Sequence, residues 1–204
     1  ELDALANINL HTKEINAEKK TLNIVRIGTS GSVQADVPVH SFVISEMSLG
    51  IDGVLRFYRD NEMVCDAAFE EAFIKECHWT PLAARPYAVK ASDELVDKLH
   101  TEGVTVKGVT LTANGLYGPQ GRVLRLPIEM PTVNDEIARF RFGNYKIVNY
   151  EMESAAIAGL AALMGHRATT ICLIIANRAT GDASADYKPH MKKLIEYTLN
   201  SLIR

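Results

Sequence analysis

The stretch Lys146-Ile147-Val148-Asn149-Tyr150-Glu151-Met152-Glu153-Ser154 changes character twice. Lys146 to Tyr150 reads as a short strand. Two carboxylates around a thioether follow it, and the alanine-rich run Ser154 to Met164 then reads as a helix packed tightly on a sheet. Ala168 to Ala176 is a nearly unbroken apolar strand, the pattern of one buried on both faces. Strand, acidic corner, helix and buried strand together make an α/β unit.

Outward from this unit the alternation continues. Leu22 to Ile27 is an apolar strand that stops in a Gly-flanked turn, Gly28-Thr29-Ser30-Gly31, and Pro38 opens a second strand, Val39 to Ser45. Cys65, Phe69, Ala72 and Phe73 share one face of a helix. Ser92 with Asp93 and Glu94 reads as a capped helix start and Gly103 as its stop. Val104 to Leu111 alternates as a strand, Ala113 to Gly121 is rich in turn residues, and Asn134 to Arg141 reads as a short helix. Pro189 opens a last helix, with Met191, Leu194, Ile195, Leu199 and Leu202 in one stripe. No repeat, low-complexity segment or linker interrupts the series. The expected fold is α/β: a three-layer α/β/α sandwich around a central mixed sheet, one domain over residues 1–204. Glu1-Leu2-Asp3-Ala4-Leu5-Ala6 reads as the tail of an amphipathic helix, so further chain is expected upstream.

Composition narrows the function. With 204 residues and 47% hydrophobic content the chain can bury a sizeable core. A net charge of −3 gives no footprint for nucleic acid or an anionic membrane, so any phosphate must be held by a local site. Cys65, Cys77 and Cys172 are too few and too scattered for a disulfide framework or zinc cluster, and Cys172 reads as a small core residue. None of the six histidines has metal-ligand spacing with a second ligand, so no metal site is expected. No signal peptide and no membrane-length apolar run is present, and a cytoplasmic location is expected.

Two stretches carry the chemistry. Arg26-Ile27-Gly28-Thr29-Ser30-Gly31 puts an arginine beside two hydroxyls and glycine-flanked backbone N–H groups, a combination suited to phosphate oxygens. Around Glu151, Met152 and Glu153, a carboxylate can accept both hydrogen bonds of a vicinal diol such as a ribose 2′,3′-pair. Glu153 is the favoured ribose ligand; capping of the following helix is its other reading. Met152 is either core or an apolar floor under a sugar. Gln120 and Arg122 bring an amide that can both donate and accept, and a guanidinium that donates, into the turn-rich loop; an ordinary polar loop is their other reading. Arg178 follows an apolar strand, where a charge is unusual unless paired or functional. These positions flank the C-terminal ends of strands, where ligands of open α/β sheets bind.

In this order, Arg26-Ile27-Gly28-Thr29-Ser30-Gly31, Gln120-Gly121-Arg122, Tyr150-Glu151-Met152-Glu153-Ser154 and Ala176-Asn177-Arg178 resemble the nucleoside phosphorylases, and among them the uridine phosphorylases. The Gln-x-Arg pair is the specific element, which purine-preferring relatives lack at this point. The resemblance places Arg178 behind Arg122 as support for a base pocket. It implies a homodimer, or a hexamer built from dimers, in which a neighbour's arginine completes the phosphate shell. Three departures stand out. The family's N-terminal Gly-Asp-Pro-x-Arg loop and the arginine that the family donates from a neighbouring subunit are absent from this sequence, Leu116 replaces the aromatic that stacks on the base and leaves that work to Tyr117 or another side chain, and Gly118-Pro119 inverts the order of bacterial relatives.

The implied activity is pentosyl transfer: uridine plus phosphate gives uracil plus ribose 1-phosphate. Arg26, Gly28 and Thr29 would hold phosphate; Thr29, Ser30, Gly31, Glu151, Met152 and Glu153 the sugar; Gln120, Arg122 and Arg178 the base. Arg26, Arg122 and Glu153 would carry catalysis, with phosphate as co-substrate and no cofactor. A purine-preferring phosphorylase, a nucleoside hydrolase on the same fold and a nucleoside-binding protein without turnover are the alternatives.

Overall fold

The computed structural model describes residues 1–203. Seven strands form one mixed sheet: β1 (Asn23–Ser32), β2 (Phe42–Gly50), β3 (Tyr87–Lys90), β4 (Thr105–Thr112), β5 (Arg141–Phe142), β6 (Tyr145–Glu151) and β7 (Arg167–Asn177). The helices are α1 (Leu2–Asn7), α2 (Ala67–Glu76), α3 (Asp93–Leu99), α4 (Val133–Arg139), α5 (Ser154–Leu163) and α6 (Lys188–Leu202). The path across the sheet is β1-β7-β2-β4-β6-β5, with β3 paired to the free upper half of β2. The central mixed sheet and its helical layers are those the sequence leads one to expect.

Side chains alternate across each strand, and the two faces differ in chemistry. Val25, Ile27, Ile44, Ile171 and Leu173 face α3 and α6, while Met47, Leu49, Val109 and Leu111 lie under α2 and α4 through Phe69, Phe73 and Ile137. The other face is covered by α5, whose Ala155 and Ala158 pack on Leu55, Tyr87 and Val89. Its small residues permit close approach: a Cβ on Gly159 would stand 2.7 Å from Leu55 Cδ2.

Beside a small apolar cluster of Val37, Val43, Val148 and Ile174, that inner face carries a line of polar side chains. Ser45 Oγ lies 2.5 Å from Thr110 Oγ1, Thr110 donates to Asn149 Oδ1 at 2.9 Å, and Asn149 Nδ2 donates to Ser30 Oγ at 2.8 Å. The chain of bonds crosses β2, β4, β6 and β1. It runs where Gly31 and Ser32 pair antiparallel with Tyr150 and Asn149, so the sheet curls until β1 meets β6.

Several boundaries depart from the sequence reading. Gly28-Thr29-Ser30-Gly31 is not a turn: β1 continues through it in register with β7, absorbing a bulge between Ser30 and Gly31. Neither Gly28 nor Gly31 has positive φ, and Gly28 is small for another reason, the Arg26 side chain folded over it. β2 outruns its expected end because a bulge between Ser45 and Met47 drops Glu46 out of register and lets Met47 and Leu49 resume the apolar face. Cys65 precedes α2 rather than joining it; Asp66 caps that helix by accepting from Phe69 N at 3.0 Å. Helix α3 ends at Leu99, ahead of Gly103, and Arg141 belongs to β5 rather than to α4.

The inner-face network yields a stability test. Asn149→Ala leaves the Thr110 and Ser30 hydroxyls short of partners in a buried site. It is expected to cost about 1–3 kcal/mol, the range for orphaned buried polar groups. Urea unfolding measures this, and a loss below about 0.5 kcal/mol would mean that the network does not hold the closure.

Candidate functional site

The β1–β6 junction brings two clusters to the same end of the sheet. Arg26 lies on the inner face of β1. Its Nη1 is 3.2 Å from Glu151 Oε2 and 3.5 Å from Cys172 Sγ, and its Nη2 is ion-paired with Glu153. Gly28 makes this possible, since a Cβ there would come within 2.5 Å of Arg26 Nη1. Burial pushes the Cys172 thiol up to about 12, so the sulfur meets the guanidinium as a neutral core group.

The two carboxylates do different work. Glu151 is buried and accepts from Thr112 Oγ1 at 2.5 Å, Glu153 N at 2.9 Å and Ser154 N at 2.8 Å. It therefore caps α5, and both of its oxygens are committed to the protein. Glu153 stands at the N-cap position but makes no capping bond; its side chain is 54% exposed and reaches Arg26 instead. Capping, the alternative raised for Glu153, falls to Glu151. Met152 lies half-exposed between them.

The second cluster is built on Gln120, which is buried in the short 3-10 turn Gly118–Gln120. Arg178 at the end of β7 donates through Nη1 to the Gln120 carbonyl at 2.8 Å and through Nη2 to Gln120 Oε1. Its guanidinium stacks over Tyr150, 4.7 Å from the ring centroid. Burial, and next the neighbouring Arg122, lowers the Arg178 pKa below its ordinary value. Arg178 Nε is buried and unpartnered among the described residues. Because an arginine only donates, the amide must turn its oxygen to Arg178 and its Nε2 away from it. Arg122 is exposed and beside a cavity of about 780 Å³ that Tyr117, Asn114, Ile51, Trp79 and Met130 also line. Tyr117 lines this cavity and Leu116 does not.

The structure thus gathers Arg26, Gly28, Glu151 and Glu153 on one side of the junction, and Gln120, Arg122 and Arg178 on the other. Ser30 holds Asn149, and Gly31 pairs with Tyr150, both within the junction itself. Thr29 is not brought to Arg26: it lies three residues along a regular strand, and odd spacing turns its side chain to the opposite face. Arg178 supports Gln120 rather than Arg122. Sequence reasoning missed Thr112, which fixes Glu151, and Tyr150 as the platform for Arg178; the alternation of β4 was the available signal for Thr112.

The phosphorylase superfamily model matches residues 6–201. The chain is 26% identical over 202 residues to a DeoD-type purine nucleoside phosphorylase of Actinobacillus succinogenes, covering 98% of this chain and 71% of that protein. A DeoD-type enzyme of Listeria innocua is 24% identical over 181 residues, covering 89% of this chain and 63% of that protein. Among solved structures, a Trypanosoma brucei nucleoside phosphorylase reported to show uridine phosphorylase activity superposes with TM-score 0.83 at 20% identity, over all of this chain and 74% of that one. A uridine phosphorylase of Schistosoma mansoni gives TM-score 0.61 at 21% identity over 91% and 60% of the two chains.

The buried ion pair gives a pH test. Burial raises the Glu151 pKa above the ordinary carboxylate value, while Thr112, the two N–H groups and Arg26 pull it down. A raised folded-state pKa means that Glu151 favours folding most fully below its unfolded value of about 4.3. That contribution is lost as pH rises through the folded value. Arg26→Met removes one counterion and lifts the folded value further. The variant is expected to lose about 3–5 kcal/mol at pH 7, and less at pH 4 where Glu151 can take up a proton. Denaturant midpoints at the two pH values check this; a loss equal at both would show that Glu151 is not the group affected.

Proposed function

The chain belongs to the phosphorylase superfamily, and we propose that within it the protein catalyses phosphorolysis of uridine to uracil and ribose 1-phosphate. The observation that carries this reading is the fixed amide of Gln120. With Oε1 turned to Arg178, Nε2 is left to donate, and the second lone pair of Oε1 can accept. Arg122, two residues further on and exposed at the cavity, supplies another donor. Two donors flanking an acceptor complement a ring edge that shows carbonyl, N–H and carbonyl in a row. Uracil has that edge at O2, N3 and O4. Hypoxanthine offers a single carbonyl and adenine none.

The chemistry follows from the two clusters. A phosphate oxygen attached near Arg26 forms a bond to C1′ while the C1′–N1 pair leaves with the base. Positive charge grows on the ribose and negative charge on the uracil, and donors aimed at the departing anion lower the barrier. Glu153, the exposed carboxylate, takes the 2′,3′-diol and orients the sugar; Glu151 holds the corner in shape. Phosphate supplies the nucleophile, so the reading calls for no cofactor and no metal. We further take the working unit to be a cytoplasmic homo-oligomer built from dimers, on the strength of the resemblance. No helix among the described residues is long and apolar enough to cross a membrane.

A second reading, a purine-preferring phosphorylase, is favoured by the purine-type names of the sequence relatives. Release of base from uridine and inosine, with and without phosphate, separates the readings. Phosphate-dependent uracil release is expected. Phosphate-independent release would make the protein a hydrolase, faster inosine cleavage a purine enzyme, and binding without release a nucleoside-binding protein. Arg122→Ala should lose about 2–4 kcal/mol of transition-state stabilisation on uridine and should not gain on inosine. Arg26→Ala should raise the KM for phosphate or abolish turnover. Unchanged kinetics in either variant would overturn that residue's role.

A further inference from the structure

Arg26 and Glu153 are occupied with each other. The guanidinium assigned to phosphate donates to the carboxylate assigned to ribose, and its other terminal nitrogen faces Glu151. Gly28 lets the guanidinium lie flat in this position. While the pair is closed, a phosphate dianion approaching Arg26 meets two carboxylates around one cation. The ribose diol, in turn, finds a Glu153 oxygen already accepting a charge-assisted bond. Each substrate must open the same ion pair.

We propose that this pair is a shared latch that couples the two substrates: whichever binds first opens it, and the second binds more tightly. The inference rests on the uridine phosphorolysis reading, since it takes phosphate and a ribose diol as the two ligands. Its logic is thermodynamic. Opening the Arg26–Glu153 pair has one free-energy cost, and only the first ligand bears it. Binding free energies are linked, so the factor by which nucleoside tightens phosphate equals the factor by which phosphate tightens nucleoside. Couplings of this kind run to roughly 5–150-fold. The asymmetry of the two acids fits the role. Glu151 is pinned by Thr112 and two backbone N–H groups and cannot leave, whereas Glu153 is half-exposed, makes no capping bond and is free to swing away. Glu153 thus acts on phosphate as a positioning residue, through Arg26.

Calorimetric titration of the full chain tests the latch. Inorganic phosphate is titrated with and without a uracil C-nucleoside, whose carbon–carbon glycosidic bond cannot be phosphorolysed. The C-nucleoside is expected to tighten phosphate by at least about 5-fold, with the same factor in the reverse titration. Its 2′,3′-dideoxy counterpart has no diol to draw Glu153 away and should leave the phosphate affinity unchanged. Glu153→Gln should tighten phosphate in the absence of nucleoside and abolish the coupling. Equal phosphate affinity with and without bound C-nucleoside, in a protein that cleaves uridine, overturns the latch and leaves the reaction standing. A dideoxy compound that couples as strongly as the diol overturns it as well. If uridine is not cleaved and neither ligand binds, the functional reading falls, and the latch with it.

Discussion

The hydrogen bond from Asn149 Nδ2 to Ser30 Oγ sits where two strands distant in sequence come together. Without that junction β1 would be an open edge beside β7. With it, the sheet curls, and the middle of β1 faces the corner that follows β6. Arg26 therefore meets Glu151 and Glu153, although Glu153 is 127 positions further along the chain than Arg26. The ends of β1 and β7, where Arg178 donates from its backbone N to Ser32 O at 2.9 Å, are set by the same closure.

The inner face is an unusual place for so many buried polar groups, and they are tolerated because they are partnered. Ser45, Thr110, Asn149 and Ser30 form one line, and Thr112 joins Glu151 to the first turn of α5 by accepting from Ala155 N at 2.8 Å. A hydroxyl or amide buried without a partner costs roughly 1–3 kcal/mol, so such a line is stabilising only when complete. Completeness has a geometric benefit. The carboxylate of Glu151 cannot rotate, and the backbone that carries Glu153 is fixed two residues later. The opposite face needs no such accuracy and is filled with aliphatic and aromatic side chains that hold the helices in place.

Much of this was legible in the sequence where one physical signal dominated. The buried strand around Ile171 to Ile174, the alanine-rich α5 and the amphipathic α6 announce themselves by periodicity alone. The ends of β1 and β2 did not. Gly28 looks like a turn residue because glycine usually buys backbone freedom, whereas here it clears space for the arginine two residues before it. Glu46 looks like a strand terminator, yet a bulge removes it from the ladder and the strand goes on. Strand β3 is too short to carry a period. At the site, residue types were readable but partners were not: Arg178 could be placed at the base end, while its bonds to Gln120 depend on how the 3-10 turn folds over the sheet. The split between Glu151 and Glu153 likewise turns on which of the two the helix terminus claims.

One irregularity in β6 has a broader meaning. Val109 pairs with Ile147 and Thr110 with Asn149, so Val148 is a surplus residue in the ladder with β4. Its side chain fills the space above Gly108, where a Cβ would come within 2.1 Å of it. Its carbonyl, released from β4, accepts from Val33 N at 2.9 Å and from Ser32 Oγ at 3.3 Å. The extra residue turns a strand edge into a hinge plate between two parts of the sheet. Shortening β6 by that one residue would give β4 a more regular neighbour and take away the acceptor on which the end of β1 hangs. The more perfect sheet would be the one with its two clusters pulled apart.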